Sequence, residues 1–242
     1  MQSLMQAVDR ATKFQPSLLG KTFLCYNHHT VPRLQEGPQC GLVALAMAGG
    51  EKVAVDKVQE VAIKKGYSKQ GEMFSVDNMA ELAKTILGRE TMIASTDDLS
   101  DSMKLVDDME EGWVLLVPYD CAHNHSPAML QGKKAHWALI TGFILAVDNA
   151  EEISDIGPHI MEDHISIVKE IVDKEKLAKL LSHPDSKLLL VARQSKSLVL
   201  GLWDKEELVS SNQNLKIVEF KGDASEFVVK HTEMKQIFFK MF

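Results

Sequence analysis

Cys40 is presented in the way that a cysteine nucleophile requires. It follows a turn at Gly37-Pro38 and begins an apolar segment, residues 41–48, that carries no charge. Such a segment predicts a fully buried helix, which ends at Gly49-Gly50. A thiol in the first turn lies at the positive end of the helix dipole, which favours the thiolate and lowers the cysteine pKa. The other interpretation is a structural cysteine before a core helix, because free cysteines are often simply buried.

A cysteine nucleophile needs a base, and His136 is the histidine whose position suits that role. It opens a predicted buried strand, residues 136–147, directly after a Gly-Lys-Lys-Ala loop. There an imidazole can face a cleft while its strand is held rigidly. A helix-borne thiol facing a strand-borne histidine is the arrangement of papain-like thiol hydrolases. The alternative is a histidine at a strand edge that is satisfied by backbone groups.

Acyl transfer also needs donors for the developing oxyanion and a group that orients the histidine. The backbone N–H of Cys40 is one donor. Gln35 and Gln39 both offer a side-chain amide upstream, and we favour Gln35 because a turn can fold its amide over the thiol. Asp204 ends a predicted strand and is our candidate for orienting His136, with Gln194 as its competitor. Asp204 could equally be a surface aspartate or the N-cap of the next helix.

Metal binding is the rival chemistry. Cys121, His123 and His125 alternate along one loop, and His28-His29 could add a ligand. Alternate residues share a face only in an extended loop, and no second close-spaced pair completes a zinc site. We therefore expect neither a metal nor a cofactor.

Predicted helices precede predicted strands along the chain, which indicates an α+β fold. A helix at residues 76–87 has Ser75 as N-cap and Gly88 as its stop. The remaining elements are assigned from periodicity and composition: helices over residues 55–65, 99–109, 165–181 and 205–210, and strands over 22–26, 91–94, 113–119, 136–147, 188–192, 198–203, 215–220 and 236–239. We interpret residues 1–242 as one domain with an insertion at about residues 148–186.

Composition bounds the function. The 242 residues are 45% hydrophobic and 25% charged, as in an ordinary soluble protein. The net charge of −7 disfavours a general nucleic-acid-binding role. No apolar run is long enough to span a membrane, and the start lacks the features of a secretory signal. Three cysteines without a CxxC pair suit a reducing compartment, so we expect a cytoplasmic location, and the size also permits entry to the nucleus.

Several blocks of the chain together resemble the actin maturation protease family. The most specific are Leu-Gln-Glu-Gly-Pro-Gln-Cys-Gly-Leu-Val-Ala-Leu at residues 34–45 and Lys-Ala-His-Trp-Ala at 134–138. Val-Pro-Tyr-Asp at 117–120, Lys196-Ser197 and Leu-Trp-Asp at 202–204 are also similar. The resemblance covers roughly residues 22–215. It implies a papain-like cysteine protease fold similar to C39-type peptidases, in which an N-terminal helical part with the nucleophile helix packs on an antiparallel sheet.

The resemblance also implies a function and site roles. Members remove the acetylated N-terminal methionine or cysteine of actin, so actin is the implied partner, and profilin is a candidate helper that presents it. By this resemblance Cys40 is the nucleophile, His136 the general base and then acid, and Gln35 an oxyanion donor. Two alternatives stay open: a thiol hydrolase with another peptide substrate, and a non-catalytic actin-binding or chaperone-like module.

An acidic actin N-terminus would require a locally basic cleft. Arg33 precedes the cysteine segment and Lys133-Lys134 precede His136, so these three residues are our substrate-binding candidates. An ordinary solvated lysine pair is the alternative. Because an acetylated terminus carries no ammonium, the pocket for the first residue is expected to be small, apolar and without a carboxylate anchor.

Overall fold

A computed structural model describes residues 2–216, 223–228 and 237–242. Within them eight α-helices occur: α1 (Gln2–Phe14), α2 (Cys40–Ala48), α3 (Val55–Lys64), α4 (Val76–Leu87), α5 (Thr96–Ser100), α6 (Ser102–Glu110), α7 (Lys174–Ser182) and α8 (Lys205–Gln213). The ten strands are β1 (Thr22–Asn27), β2 (Thr91–Ser95), β3 (Val114–Cys121), β4 (Pro127–Ala128), β5 (Ala135–Val147), β6 (His159–Glu162), β7 (Ile165–Val168), β8 (Lys187–Gln194), β9 (Gly201–Asp204) and β10 (Ile237–Met241).

The strands form one sheet organised around the long strand β5. The order is β2-β10-β3-β5-β1-β7-β6, and β8 joins β5 to β9. The described strand pairs are antiparallel except for the parallel pair of β1 and β7. On one edge of β5, β3 pairs with residues 135–140 and β1 pairs with residues 142–147. The predicted α+β fold, with a helical part packed on a mostly antiparallel sheet, is therefore confirmed.

Alternation along β5 separates two cores. Trp137 and Leu139 belong to a cluster with the apolar residues of α2, α3 and α4. Ala138 and Ile140 belong to a second cluster with residues of α6, α7 and α8, as period-2 geometry requires. A third cluster packs α1 against the far end of β5, with Val8 and Ile144 fully buried.

Most predicted elements are present, and the local signals explain their ends. In α4, Ser75 Oγ accepts a hydrogen bond from the backbone N–H of Asn78, and Gly88 adopts a left-handed conformation at φ 63°. The predicted helix over residues 99–109 is instead two helices, because Asp101 interrupts it by capping α6.

The prediction for residues 165–181 is wrong in its first part. Residues 165–168 form β7, because their backbone pairs with β1 and β6 and buries Ile165 at the sheet. The helix α7 begins only at Lys174. The predicted strand over residues 215–220 lies largely outside the described residues. Strand β10 provides the closing strand predicted near residues 236–239.

Candidate active site

Cys40 is the first residue of α2, and a glycine lets this helix approach β5 closely. A Cβ atom at Gly41 would lie 3.0 Å from the ring of Trp137 and 3.2 Å from Cβ of Met73. Trp137 is held in place by a hydrogen bond of 2.8 Å from its Nε1 to the Met73 carbonyl. The start of α2 is thereby fixed against the start of β5, where His136 lies.

One cavity of about 480 Å³ brings the main sequence candidates together. Cys40, His136 and Gln35 all line it. Its other described lining residues come from the segment before α4, from β3 and β5, and from two later positions: Pro38, Gln70, Glu72, Met73, Phe74, Pro118, Ala135, Trp137, Lys196 and Phe227.

The Cys40 thiol is not activated in the way that the sequence suggested. Burial raises its pKa above the ordinary value, and the nearby Cys121 acts in the same direction. Hydrogen bonds from the backbone N–H groups of Trp137 and Gly41, and the Lys196 ammonium, lower the pKa without outweighing burial. The expected lowering of the pKa by the helix dipole is therefore wrong for this site as it stands.

His136 is also held in its neutral form. Only 3% of the residue is exposed, and burial, with the positive charges of Lys196 and His125, lowers its pKa to about 3. Its ring lies edge-on to Tyr119, with centroids 5.8 Å apart. Its Nε2 atom is buried and has no hydrogen-bond partner among the described residues.

Gln35 lies in the cavity wall and is fixed to the turn after β8. Its Oε1 accepts a hydrogen bond of 2.7 Å from Ser195 Oγ, and its backbone N–H donates to the Ser195 carbonyl. Its Nε2 donates to the Gly37 carbonyl at 2.5 Å. A carboxamide nitrogen carries two hydrogens, so one is left for another acceptor. Gln39, the competitor, instead donates to Gln59.

The structure does not bring Asp204 to His136. Asp204 is the N-cap of α8, where its carboxylate accepts from the backbone of Glu206 and Glu207, and it forms an ion pair with Lys187 at 2.9 Å. Asp204 pairs with Leu189 of β8, and Leu189 pairs with Ile144 of β5. Ile144 is eight residues beyond His136 on β5. That is roughly 26 Å along the strand, so the assignment of Asp204 as the orienting group is corrected to a helix cap.

Gln194, the alternative candidate, lies closer to the site. It pairs with Ala138 in the register of β5 and β8. Its Oε1 accepts a hydrogen bond from the backbone N–H of Lys196. Among the described residues, Gln194 does not hydrogen-bond to His136, and it lines a neighbouring groove instead.

The three basic residues predicted to bind substrate do not lie together in the structure. The Arg33 guanidinium donates to carbonyls at the end of α2, including Gly50 at 2.9 Å, so it anchors a loop and does not line the cavity. Lys134 lines an adjoining cavity together with Lys196, whereas Lys133 is exposed and lines neither. Sequence reasoning missed Lys196 as a site residue. Its position in the turn after a strand that pairs with the His136 strand was the available signal.

The lining of the active-site cavity includes several large apolar side chains. Met73, Phe74, Trp137 and Phe227 contribute its apolar side chains. Glu72 is the single carboxylate in the described lining.

The Glu72 carboxylate already accepts hydrogen bonds from groups of the protein. It accepts hydrogen bonds from Ser68 Oγ and from the backbone N–H groups of Lys69, Gln70 and Val228, at 2.7–3.0 Å. Burial acts to raise the pKa of Glu72, but the backbone hydrogen bonds lower it overall. The carboxylate therefore remains charged with its oxygens already engaged.

The residues considered for the rival metal site come only partly together. Cys121 Sγ lies 3.9 Å from His125 Nδ1. Across the described ranges, no cluster of three or more metal-binding side chains forms. The same ranges contain no helix with the length and apolar character needed to cross a membrane.

The chain is similar to proteins of one family. A family model described as "Actin maturation protease-like, C-terminal domain" matches residues 30–144, which include Cys40 and His136. The chain is 34% identical over 213 residues to the actin maturation protease of Xenopus tropicalis, covering 86% of this chain and 67% of that protein.

Two other relatives have similar sequence identities. The human actin maturation protease is 34% identical over 190 residues, covering 75% of this chain and 53% of that protein. The Drosophila melanogaster actin maturation protease is 30% identical over 183 residues, covering 76% of this chain and 55% of that protein. The chain thus spans about two thirds of the frog relative and about half of the other two.

Among solved structures, a C39-like peptidase from Bacillus anthracis aligns with a TM-score of 0.45 at 10% identity. The alignment covers 89% of this chain and 98% of the bacterial one.

Proposed function

The chain belongs to the actin maturation protease family, and we propose that it is a cysteine aminopeptidase that removes the acetylated first residue, Met or Cys, of immature actin. The observation that carries this proposal is the shared cavity of Cys40, His136 and Gln35. A thiol, an imidazole and an amide donor are the three groups that thiol-based acyl transfer needs.

In the proposed reaction the neutral pair Cys40 and His136 is the starting state. As the sulfur attacks the carbonyl carbon of the acetylated first residue, the thiol proton passes to the imidazole. The neutral imidazole that burial favours is the form able to accept this proton. His136 then gives the proton to the departing amine of mature actin, and water hydrolyses the thioester to release the acetylated amino acid.

The developing oxyanion requires donors that point into the cavity. The backbone N–H of Cys40, unpaired within the helix because it lies in the first turn, supplies one. The second hydrogen of Gln35 Nε2 supplies the other, while the bond from Ser195 holds the carboxamide in orientation. We propose Lys134 as a substrate-binding residue, but not Arg33 or Lys133.

A blocked N-terminus fits the lining of the cavity. A free α-ammonium would need a carboxylate partner, and Glu72 already accepts four hydrogen bonds. Met73, Phe74 and Phe227 offer apolar contacts to the first side chain and its acetyl group.

The test is the intact mass of an acetylated, actin-like N-terminal peptide after incubation. Wild type should release one acetylated amino acid, and Cys40→Ala should release none. Cys25→Ala is the matched control, because Cys25 is buried in β1 away from the cavity, and it should retain activity. Activity in Cys40→Ala would disprove the assignment of the nucleophile.

Whole immature actin, with and without profilin, is the second substrate. If wild type processes actin but not the peptide, the enzyme requires the folded substrate. If it processes neither but binds actin, the chain is the non-catalytic actin-binding module. Cleavage of unrelated acetylated peptides with equal kcat/KM would instead support the thiol hydrolase of broader substrate range.

A further inference from the structure

Two further cavities adjoin the proposed active site. The first, called here the basic cavity, has a volume of about 340 Å³ and is lined by Cys121, His123, His125, Lys134, Ala135 and Lys196, with Ala122. The second, called the α1 groove, has a volume of about 510 Å³ and lies between α1 and β9. Its lining includes Arg10, Phe14, Asn124, His125, Val199 and Trp203.

The three cavities are neighbours that share lining residues. Ala135 and Lys196 line both the active-site cavity and the basic cavity. His125 lines both the basic cavity and the α1 groove. The cavities therefore follow one another in the order active-site cavity, basic cavity, α1 groove.

The roles of Cys40 and His136 suggest the direction of a bound peptide. In acyl transfer the acyl part stays on the sulfur, while the histidine protonates the amine that leaves. Ala135, next to His136 on β5, lines the basic cavity, whereas Cys40, Met73 and Phe227 do not. This arrangement favours the basic cavity for the amine side of the scissile bond, and the region of Met73 and Phe227 for the first residue.

The chemistry of the basic cavity suits an anion. Two lysines and two histidines line it, and its described lining contains no Asp or Glu. The Lys196 Nζ atom lies 3.9 Å from Cys121 Sγ. Lys134 is exposed and forms no ion pair with a described residue. These cations are therefore available to a carboxylate.

The α1 groove has a different character. Phe14 and Val199 are 83% and 50% exposed, and large exposed apolar side chains at a groove are typical of a protein-binding surface. Arg10 and Glu207 in the same lining balance each other in charge. This groove thus fits a mainly apolar stretch of polypeptide.

We propose that the three cavities form one peptide-binding cleft, in which the basic cavity holds a carboxylate side chain of the leaving segment and the α1 groove holds the residues that follow it. The inference rests on the proposed function, because the direction of the peptide comes from the roles of Cys40 and His136. It adds that substrate recognition extends well beyond the scissile bond and involves α1.

Binding to the inactive Cys40→Ala variant tests this cleft separately from turnover. Acetyl-Met peptides of four and twelve residues, with a dye at the C-terminus, are titrated by fluorescence anisotropy. The twelve-residue peptide should bind about tenfold more tightly, since it adds apolar contacts in the α1 groove. Equal affinity for the two lengths would overturn the extended cleft.

Two neighbouring lysines provide a matched pair for the basic cavity. In the Cys40→Ala background, Lys134→Gln should weaken binding of a peptide with Asp after the first residue by about tenfold, and replacing that Asp by Asn should abolish the difference. Lys133→Gln should leave the affinity unchanged. Equal effects of the two substitutions would show only general electrostatic attraction and would overturn the site-specific role.

The α1 groove has its own matched pair. Val199 and Ile160 are β-branched and 50% and 49% exposed, but only Val199 lines the groove. Val199→Ala should lower the affinity for the twelve-residue peptide about threefold and leave the affinity for the four-residue peptide unchanged. Ile160→Ala should change neither affinity. No effect of Val199→Ala on the long peptide would remove the groove from the cleft. Failure of the wild type to cleave any peptide or actin would disprove the proposed function and leave these binding results standing.

Discussion

At the scale of single residues, the resting site pairs an uncharged thiol with an uncharged imidazole. Burial raises the pKa of Cys40 and lowers the pKa of His136 to about 3. The two shifts have the same cause, because both charged forms lose solvation in the cavity. An ion pair of thiolate and imidazolium is therefore disfavoured in this structure.

The raised pKa of Cys40 predicts how the thiol reacts with iodoacetamide. Only the thiolate is nucleophilic, so the alkylation rate should still be rising above pH 9. If His136 is the proposed base, His136→Ala should slow alkylation at neutral pH, as well as turnover, because the substitution removes the group that accepts the thiol proton. Mass spectrometry of the alkylated protein measures both effects.

Cys25 is the internal control in that experiment. Burial raises its pKa as well, and its side chain is inaccessible in β1, so it should stay unmodified in folded protein. Unchanged alkylation of Cys40 in His136→Ala would remove His136 from its assigned role.

The lowered pKa of His136 predicts a loss of stability in acid. Below the unfolded-state pKa of 6.5, the unfolded chain binds a proton that the native imidazole does not. The free energy of unfolding therefore falls as the pH drops from 6.5 toward 3, by ~1.4 kcal/mol per pH unit for this group. At pH 5 the cost is roughly 2 kcal/mol relative to pH 7.

Urea unfolding at pH 7 and pH 5 measures this contribution. His136→Ala should reduce the pH-dependent loss by that amount. The His29→Ala variant controls for removing an imidazole from an exposed position. The same loss in wild type and His136→Ala would show that His136 is not the buried neutral group.

At the scale of elements, the site depends on close approaches between backbones. The antiparallel pairing of β5 with β1 begins at Gly142, and the pairing of β5 with β8 shifts register between Ile140 and Gly142. A Cβ atom at Gly142 would overlap the backbone of Tyr26 and Asn27. Neither strand can move without disturbing its other neighbours.

Gly142→Ala is therefore expected to destabilise the protein by about 2 kcal/mol or more. Chemical denaturation measures the change. Gly66→Ala is a control for the loss of a glycine where a Cβ atom would meet no neighbour but φ is 72°, so it should cost about 1 kcal/mol from backbone strain alone. A smaller effect at Gly142 than at Gly66 would contradict the packing argument.

The loop that carries His125 and Lys134 is held by one buried carboxylate. Asp120 accepts hydrogen bonds from the backbone N–H groups of Leu130, Gly132 and Lys134 at 2.8–3.0 Å, and it is fully buried. The basic cavity therefore depends on Asp120 for its shape.

Asp120→Asn should destabilise the protein by about 2–3 kcal/mol. The substitution replaces one carboxylate oxygen by an NH2 group, which cannot accept a hydrogen bond from the backbone N–H that faces it. Hydrogen exchange should show faster exchange of the Leu130, Gly132 and Lys134 amides. Unchanged exchange in this loop would show that the carboxylate does not hold it.

At the scale of the whole molecule, the C-terminal strand completes the core beneath the site. Strand β10 inserts between β2 and β3. Its Phe239 is fully buried and faces Trp137 with ring centroids 6.3 Å apart. The last residues of the chain thus support the helix α2 and the cavity through Trp137.

Phe239→Ala should cost about 3–5 kcal/mol of stability by creating a cavity in this core. Phe242→Ala is the matched control, since Phe242 is 55% exposed, and it should cost less than about 1 kcal/mol. Thermal and urea unfolding measure both. Equal losses in the two variants would contradict the position of β10 in the core.

The sequence by itself determined the elements whose signals are local. The apolar segment after Cys40, the cap residues Ser75 and Gly88, and the long strand at His136 were predicted correctly, because side-chain periodicity and capping act within a few residues. The resemblance of the cysteine and histidine blocks also identified the family, since both motifs are contiguous in the chain.

Only the tertiary structure decided the properties that depend on distant neighbours. Burial raises the pKa of Cys40 and outweighs the backbone hydrogen bond from Trp137, a residue almost one hundred positions away in the sequence. Asp204 became a helix cap because the register of β5, β8 and β9 carries it away from His136. Lys196 lies at the cavity because it follows β8, which pairs with β5. Desolvation and strand register are set by contacts between remote segments, and for that reason no local pattern in the sequence determines them.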